Sequence, residues 1–371
     1  MSYSLATLWF ERQRFLPGVL AVAFSALLIA LQCGLLLGLF SITSLPIDET
    51  HADVWVGHPE VPSVDLARPI PEAWQAYLAM PEVERVEAYV QGFAYWDKPT
   101  GGSELCILIG SRLAPGALGA VKVLTPEQRS KLTEPGSIII DESEFSRLGI
   151  QQVGQYAEIS KQRVRVVDTV RGMKSLAGPY IFCSIETARP RLNLDSDQTM
   201  FLLAKCWNPA DAEKVVERLK PYGRKLAAST SESFSLHSRL HWLTKTKAGI
   251  ALGLAAALGL LVGAVVTSQT LYAATVAQLR EYAVLRAMGI PRWRMAMTVL
   301  AQSFWVGVAG VALAVPTVFL LGHVGNEVGA KILLPWWLMT FSVVLTMGMA
   351  LLSGLAALRS LRLIEPVALL R

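Results

Sequence analysis

Four long stretches of the chain contain no Asp, Glu, Lys or Arg. They are residues 15–47, 248–279, 295–326 and 332–358. Because about 20 apolar residues are enough for a helix to cross a bilayer, each stretch predicts one transmembrane helix. The residues between the first two stretches carry charges at ordinary density, which predicts a large polar domain inserted between helices 1 and 2.

Short β-branched or aromatic runs alternate with helical patterns in this polar domain. The runs predict strands at 53–57, 86–96, 105–110, 137–141, 163–170, 180–184 and 200–205. Helices are expected at 71–80, 126–132, 142–148 and 209–219. The predicted fold class is an α-helical membrane protein with four transmembrane helices and a large mixed α/β domain.

The composition agrees with a membrane protein. Mean hydropathy is +0.42 and charged residues make up 17% of the chain, whereas about 25% is typical of soluble proteins. The first apolar stretch is longer than the roughly 7–15 residue core of a signal peptide, so we expect it to remain as an anchor. An ordinary soluble enzyme is therefore excluded.

The distribution of charge orients the chain through the positive-inside rule. Residues 1–16 carry a net charge of +1, the loop 276–294 carries +3 and the tail 359–371 carries +2, whereas 48–246 carries −2. Both termini and the 276–294 loop are therefore expected in the cytoplasm, and the large domain outside. The positive excess faces lipid headgroups or an intracellular partner, which predicts contact with the bilayer and no nucleic-acid partner.

These boundaries predict a fixed order of segments. In chain order they are a cytoplasmic amphipathic helix (1–16), transmembrane helix 1 (17–45), the extracytoplasmic α/β domain (46–246) with a stalk helix (229–246), transmembrane helix 2 (247–275), a cytoplasmic coupling loop (276–294), transmembrane helix 3 (295–322), a short external loop (323–334), transmembrane helix 4 (335–358) and a cytoplasmic tail (359–371).

The interiors of the apolar stretches lack ionisable residues. Their polar insertions are Gln32, Gln269, Gln302 and some Ser and Thr. Proton relays and ion pathways place Asp, Glu, Arg or His at such depths, so a secondary transporter or ion channel is not expected. Pairs of glycines four residues apart allow close helix packing or a subunit contact; they are Gly34 and Gly38, Gly249 and Gly253, and Gly259 and Gly263.

The segment before the second apolar stretch predicts the stalk helix. Ser229 and Glu232 have capping-box spacing, and apolar residues follow at helical spacing. We expect this helix to run directly into transmembrane helix 2. It also carries His237 and His241, which have the spacing of half a metal site. No third ligand follows, so a solvated or packed helix face is the favoured interpretation.

Catalytic chemistry is not predicted. The sequence contains no nucleotide-binding, dinucleotide-binding, nucleophile-elbow or zinc-protease motif. Its four cysteines lack C-x-x-C spacing, and no cofactor or metal is expected. The acidic residues Asp141, Glu142 and Glu144 lie at a strand-to-helix junction, where stabilisation of the helix N-terminus is the simpler explanation.

The most specific motif lies in the 276–294 loop, which contains Glu281-Tyr282-Ala283-Val284-Leu285-Arg286-Ala287-Met288-Gly289. It resembles the loop of the MacB/FtsX-type ABC transporter permease family. Residues 52–56, Ala-Asp-Val-Trp-Val, resemble the DevC-like branch, and the ending Glu365-Pro366…Leu369-Leu370-Arg371 is similar to the family's C-terminus. The resemblance implies ATPase-coupling roles for Arg280, Glu281, Leu285, Arg286, Met288 and Gly289.

The resemblance also implies a function. The implied protein is a homodimeric, mechanotransmitting permease of the bacterial inner membrane. It has no nucleotide site of its own and is driven by a separate ABC ATP-binding subunit docked on residues 276–292. A periplasmic membrane-fusion protein and an outer-membrane duct are its implied partners, and lipophilic or glycolipid-like material its exported substrate. The alternatives are an FtsX-like regulator of a cell-wall hydrolase and an anchored scaffold without an ATPase.

Overall fold

The computed structural model describes residues 12–99, 101–175, 177–276, 291–327 and 330–362, together with Val284 and Met288. The α-helices in these residues are α1 Arg12–Thr43, α2 Leu45–Asp48, α3 Pro126–Lys131, α4 Phe145–Leu148, α5 Ile185–Arg191, α6 Ala212–Leu219, α7 Ser231–Lys245, α8 Lys247–Val276, α9 Arg292–Glu327 and α10 Trp336–Arg362. The strands are β1 Val54–Gly57, β2 Ile70–Pro71, β3 Val83–Asp97, β4 Ser103–Ser111, β5 Ser137–Asp141, β6 Tyr156–Ile159, β7 Gln162–Val170, β8 Tyr180–Ser184, β9 Gln198–Thr199, β10 Phe201–Cys206 and β11 Ala227–Thr230.

The chain divides into two units. The helical unit comprises the residues up to Leu39 and those from Lys247 onward, and the α/β unit is Phe40–Thr246. Four helices are long and apolar enough to cross a membrane, over Phe15–Thr43, Lys247–Thr270, Ala296–Glu327 and Trp336–Leu355. The prediction of four apolar helices and a mixed α/β domain is confirmed.

Small side chains and hydroxyl groups hold the helical unit together. The Ser25 hydroxyl in α1 donates to the Gly263 carbonyl in α8 at 2.9 Å, and the Thr267 hydroxyl donates to Ser25 Oγ at 2.8 Å. Ala314 of α9 packs with Ala23 and Ala26 of α1. Close approach and hydrogen bonding of this kind stabilise helix pairs in lipid, where burial of apolar surface offers no net advantage.

The α/β unit is built on one nine-stranded mixed sheet. Its strand order is β11-β1-β10-β3-β4-β8-β5-β7-β6, and the additional pairing β3–β6 joins distant parts of the sheet. The pairs β4–β8 and β5–β7 are parallel and the other pairs are antiparallel. Strand β3 is 15 residues long and pairs with both β10 and β4, so it belongs to both halves of the sheet.

Strand β1 shows how the alternation of side chains divides the core. Val54 and Val56 contribute to an apolar cluster with Val215 and Leu219 of α6. Trp55 points to the opposite face, as the period of two in a strand requires, and belongs to the other cluster. Both faces of this strand are buried, because α6 and α7 cover opposite sides of the sheet at this position.

The stalk helix differs from the prediction at both ends. Its N-cap is Thr230, whose side chain accepts a hydrogen bond from Ser233 N at 3.3 Å, whereas Ser229 lies in β11 opposite Trp55. The Ser229–Glu232 capping box is therefore wrong, because strand pairing delays the start of the helix. Helix α7 ends at Lys245 and Thr246 has an extended backbone (φ −98°, ψ 145°), so the expected uninterrupted helix is also wrong.

Candidate functional site

Most of the predicted ATPase-coupling residues lie outside the described part of the chain. These are Arg280, Glu281, Leu285, Arg286 and Gly289. Met288 is described: its side chain is 66% exposed and its backbone N–H donates to the Val284 carbonyl at 3.1 Å. That spacing is one α-helical hydrogen bond. The coupling role of the segment stays a prediction.

Gly34 and Gly38 of α1 lie against the segment that precedes α10. The Leu333 N–H donates to the Gly34 carbonyl at 3.1 Å, and a Cβ added at Gly34 would lie 3.1 Å from the Ile332 side chain. A Cβ added at Gly38 would lie 1.6 Å from the Lys331 carbonyl oxygen. Only a residue without a side chain fits at position 38 unless this segment moves.

Gly259 and Gly263 of α8 lie against α1. A Cβ at Gly259 would lie 3.2 Å from Gln32 Cγ, and one at Gly263 would lie 3.3 Å from Ser25 Cβ. Gly263 also accepts the Ser25 hydrogen bond through its carbonyl. These two glycines, like Gly34 and Gly38, therefore make close contacts within one chain. The last predicted pair is Gly249, which is buried, and Gly253, which is half-buried; a subunit contact at any of the six stays a prediction.

A polar network joins the two ends of the α/β unit. Arg239 of α7 donates through Nη2 to Asp48 Oδ2 at 2.7 Å and through Nε to Ser44 Oγ at 2.7 Å. The hydroxyl groups of Ser44 and Ser235 donate to the two oxygens of the Asp48 carboxylate at 2.6 and 2.7 Å. Asp48 closes α2, which directly follows α1, and Arg239 lies in α7, which ends just before α8. We call this network the Asp48–Arg239 clamp.

A second contact joins α7 to the turn at residues 63–66. The Val64 N–H donates to Ser238 Oγ at 3.2 Å, and Trp242 Nε1 donates to Ser63 Oγ at 3.1 Å. Ser238 is fully buried. Successive turns of helix α7 therefore make hydrogen bonds to the rest of the α/β unit, so the helix is an integral part of this unit.

Asp65 is a buried acid beneath this contact. Its side chain accepts a hydrogen bond from Gln91 Nε2 at 2.8 Å, and the residue is only 3% exposed. Burial raises the pKa of Asp65 from 3.8 to about 7, against the lowering effect of the Gln91 hydrogen bond and of the nearby Trp242 indole N–H, which itself donates to Ser63 Oγ. Burial also raises the pKa of Tyr89, and the nearby Asp65 carboxyl raises it further. Among the described residues, no cationic group acts on the Asp65 carboxyl.

The acidic cluster noted in the sequence has a structural role. Asp141 accepts a hydrogen bond from Ser143 N at 2.9 Å and one from Met173 N at 2.7 Å. It is the N-cap of the short 3-10 helix Glu142–Glu144, as the helix N-terminus explanation requires. The described residues contain no group of three His, Cys, Asp or Glu side chains suited to a metal ion.

Sequence reasoning missed the Asp48–Arg239 clamp. Asp48 marks only the end of an apolar stretch, and Arg239 is one of several charges in an amphipathic helix. The two residues are 191 positions apart. No local pattern in a single sequence connects residues at that separation.

Comparison with known proteins adds a family match to this geometry. Residues 253–366 match the family described as FtsX-like permease C-terminal. The match begins within α8 and includes α9 and most of the residues after it. No curated protein matches the chain. The C-terminal third is thus similar to FtsX-like permeases, and the DevC-like branch stays a prediction.

Three solved structures are similar to about half of the chain. One is the periplasmic region of MacB from Actinobacillus actinomycetemcomitans, with 13% identity over 51% of this chain and 94% of that chain and a TM-score of 0.35. The second is the extracellular domain of the noncanonic ABC-type transporter YknZ from Gram-positive bacteria, with 10% identity, coverage of 48% and 98%, and a TM-score of 0.32. The third is a domain of a permease protein from Porphyromonas gingivalis, with 14% identity, coverage of 50% and 90%, and a TM-score of 0.33.

Proposed function

We propose that this chain is the membrane subunit of an ABC-type exporter, driven by a separate ATP-binding subunit. The observation that carries the proposal is the match of residues 253–366 to the FtsX-like permease C-terminal family. Four apolar helices and the absence of Asp, Glu, Lys and Arg from the interiors of the apolar stretches support it. Helices of this kind offer an ion or a proton no charged relay.

The proposed orientation follows the distribution of charge. Both termini and the 276–294 loop lie in the cytoplasm, and the α/β unit lies outside, in the periplasm of a bacterium with an inner membrane. Net charges of +1, +3 and +2 on the first 16 residues, the loop and the tail support this orientation. The 276–294 loop then faces the compartment that supplies ATP.

The Asp48–Arg239 clamp gives the proposed mechanism a physical basis. It joins the segment that leaves α1 to the helix that leads into α8, through hydrogen bonds of 2.6 to 2.7 Å. A displacement of either segment is therefore passed directly to the other. We infer that ATP-driven movement in the cytoplasm reaches the α/β unit through these two connections, so the chain transmits motion instead of conducting substrate between its helices.

The proposed partners complete an export assembly. They are an ATP-binding subunit docked on residues 276–292, a second copy of this chain, a periplasmic membrane-fusion protein and an outer-membrane duct, as in the DevC-like branch. The proposed substrate is lipophilic or glycolipid-like. Glu281 and Arg286 provide fixed charges beside Leu285 and Met288, which suits a helix that docks in a groove of the ATPase.

Partner capture tests the assignment. The tagged full chain is cross-linked in its native cells and purified, and the co-purifying proteins are identified by mass spectrometry. An ATP-binding subunit together with a membrane-fusion protein supports export. A cell-wall hydrolase with the ATPase favours the regulator, and recovery of no ATPase contradicts the proposal.

Charge reversal tests the docking site. The double variant Glu281→Arg, Arg286→Glu should lose ATPase association while its amount in the membrane stays normal. The matched control is Glu60→Arg, Arg68→Glu, which reverses an exposed ion pair of the α/β unit. Normal ATPase recovery with the first variant would remove the docking assignment.

A proline in α7 tests the transmission of movement. Leu236 is 55% exposed, so Leu236→Pro breaks the helix without removing a buried side chain. The variant should keep its ATPase and lose export, whereas Leu236→Ala should keep both. Export at the normal rate by the proline variant would argue for a substrate path that does not depend on α7.

A further inference from the structure

A groove of about 400 Å³ lies within the α/β unit, beside α7 and strands β1 and β11. This volume is in the range of small-molecule pockets, about 300 to 1,000 Å³. Its floor is aromatic: the Trp55 and Phe201 rings lie 5.3 Å apart, and each lies 5.6 Å from the Phe234 ring. Leu240 of α7, which is 44% exposed, forms part of the wall. The three rings are buried, so the accessible apolar surface for a hydrocarbon chain is formed by Leu240 together with Val61 and Pro62.

Basic side chains lie along the rim of the groove. His237, His241 and Lys245 recur every four residues, so they lie on one face of α7, and His58 lies on the β1 side. The described residues that line the groove include no Asp or Glu. Among the described residues, these four side chains form no ion pair, and Glu60, next to His58, is paired with Arg68.

The hydrogen bonds of the histidines leave ring nitrogens available to a ligand. His58 Nδ1 accepts a hydrogen bond from Glu60 N at 3.3 Å, so Nε2 carries the proton and can donate. His237 Nδ1 lies 2.9 Å from the Ser233 carbonyl and donates to it, so Nε2 of the neutral ring is an acceptor and becomes a donor to an anion only when the ring is protonated. Imidazole and ammonium donors bind carboxylate, sulfate and phosphate oxygens through charge-assisted hydrogen bonds.

We propose that this groove binds an anionic amphiphile. Its hydrocarbon chain lies along Leu240, Val61 and Pro62, above the buried aromatic rings, and its carboxylate, sulfate or phosphate group lies among the rim histidines and Lys245. The apolar lining alone would accept a neutral chain, and the three histidines and Lys245 of the rim select the charged head. The proposal that the groove binds an anionic amphiphile does not depend on the proposed function. The further proposal that this amphiphile is the exported substrate rests on the proposed function.

Photolabelling of the purified full chain tests the groove without any ATPase. The chain is placed in nanodiscs of phosphatidylcholine and exposed to dodecanoic acid that carries a diazirine at its terminal carbon. Labelled peptides are mapped, and labelling within 55–62 and 227–245 is divided by labelling within α8, which corrects for probe dissolved in the bilayer. We expect this ratio to be high for the acid and about tenfold lower for the matching diazirine alcohol, which lacks the charge-assisted bonds.

Two variants act on different parts of the groove. The triple variant His237→Gln, His241→Gln, Lys245→Gln removes the rim donors, and Leu240→Trp fills the apolar part. Both should lower the ratio about tenfold. The control His323→Gln changes an exposed histidine of α9, outside the α/β unit, and should leave the ratio unchanged. If the triple variant does not fold, Leu240→Trp still decides the outcome.

Several results would overturn the proposal. Equal labelling by the alcohol would remove the role of the rim, and an unchanged ratio in Leu240→Trp would remove the groove. Protection by inorganic phosphate alone would indicate a simple anion site. Displacement of the probe by an extended peptide but not by unlabelled dodecanoate would favour strand addition at the sheet edge β11. The labelling experiment does not measure export. Its result can therefore be interpreted even if the proposed exporter function is wrong.

Discussion

Asp65→Asn should remove a pH-dependent loss of stability from the α/β unit. The pKa of Asp65 is raised from 3.8 to about 7 because the carboxyl is buried. Between those pH values the unfolded chain carries an ionised Asp65 and the folded chain a protonated one. Folding then binds a proton, so the stability contribution is full below pH 3.8 and decreases as pH rises toward 7.

The expected magnitude follows from the size of the shift. One pKa unit corresponds to about 1.4 kcal/mol, so a shift of about three units costs about 4 kcal/mol by pH 7 and no more above it. Asparagine has nearly the same shape and does not ionise. The wild-type opening constant, divided by that of Asp65→Asn, should therefore rise about tenfold per pH unit between pH 5 and 7 and level off above pH 7.

Two buried thiols report the opening of this unit. Cys106 and Cys183 lie in the same apolar cluster as Trp55 and are at most 1% exposed. Their labelling rate by a thiol reagent is measured for the full chain in detergent, in a Cys33→Ser, Cys206→Ser background. Comparison of variant and wild type at the same pH cancels the pH dependence of the thiols themselves. Asp197→Asn, at an exposed position, is the control and should give a flat ratio.

One result would refute the reasoning. If the ratio for Asp65→Asn stays constant from pH 5 to pH 8, Asp65 does not change its protonation with folding. The Asp65 carboxyl would then be equally ionised in the folded and unfolded chains, and burial would not control its charge. A constant offset without a slope would report only the altered hydrogen bond with Gln91.

Three further predictions concern the helices and their connections. Gly38→Ala should destabilise the full chain by about 1 to 3 kcal/mol in thermal unfolding, because its Cβ meets the Lys331 carbonyl oxygen at 1.6 Å; Gly348→Ala, with open space around it, is the control, and equal melting temperatures would contradict the contact. Thr230→Ala should cost about 1 kcal/mol and Ser229→Ala much less, measured by the same thiol labelling; the reverse order would restore the cap predicted at Ser229. A double-mutant cycle of Asp48→Asn and Arg239→Gln should give a coupling of about 1 kcal/mol, since both side chains are about one-third exposed; strict additivity would count against the clamp.

The four apolar helices could be predicted because charge is expensive inside a bilayer. The first and last residues of these helices are harder to predict from the sequence. Helix α1 includes Arg12 and α9 includes Glu327, both outside the apolar stretches. Charged residues are excluded from the hydrocarbon region but not from the helix itself, so the limits of an apolar stretch and of a helix need not coincide.

The cap of α7 and the groove beside it are formed by residues that are far apart in sequence. Ser229 and Thr230 are both good capping residues, and only the pairing of β11 with β1 selects Thr230. His237 and His241 suggested half of a metal site, yet the structure groups them with His58 around an apolar groove. Tertiary contacts decide each of these outcomes, and local propensity carries no information about them.

The Asp48–Arg239 clamp also bears on how such a chain can evolve. Domains whose two ends lie close together can be inserted into a loop of another protein, because the two ends of that loop need to move apart only slightly. Here residues 191 positions apart meet at 2.7 Å. Replacement of everything between them by an unrelated domain with equally close ends would leave the separation of the flanking helices unchanged. The helical unit can thus acquire a different inserted domain in one recombination event.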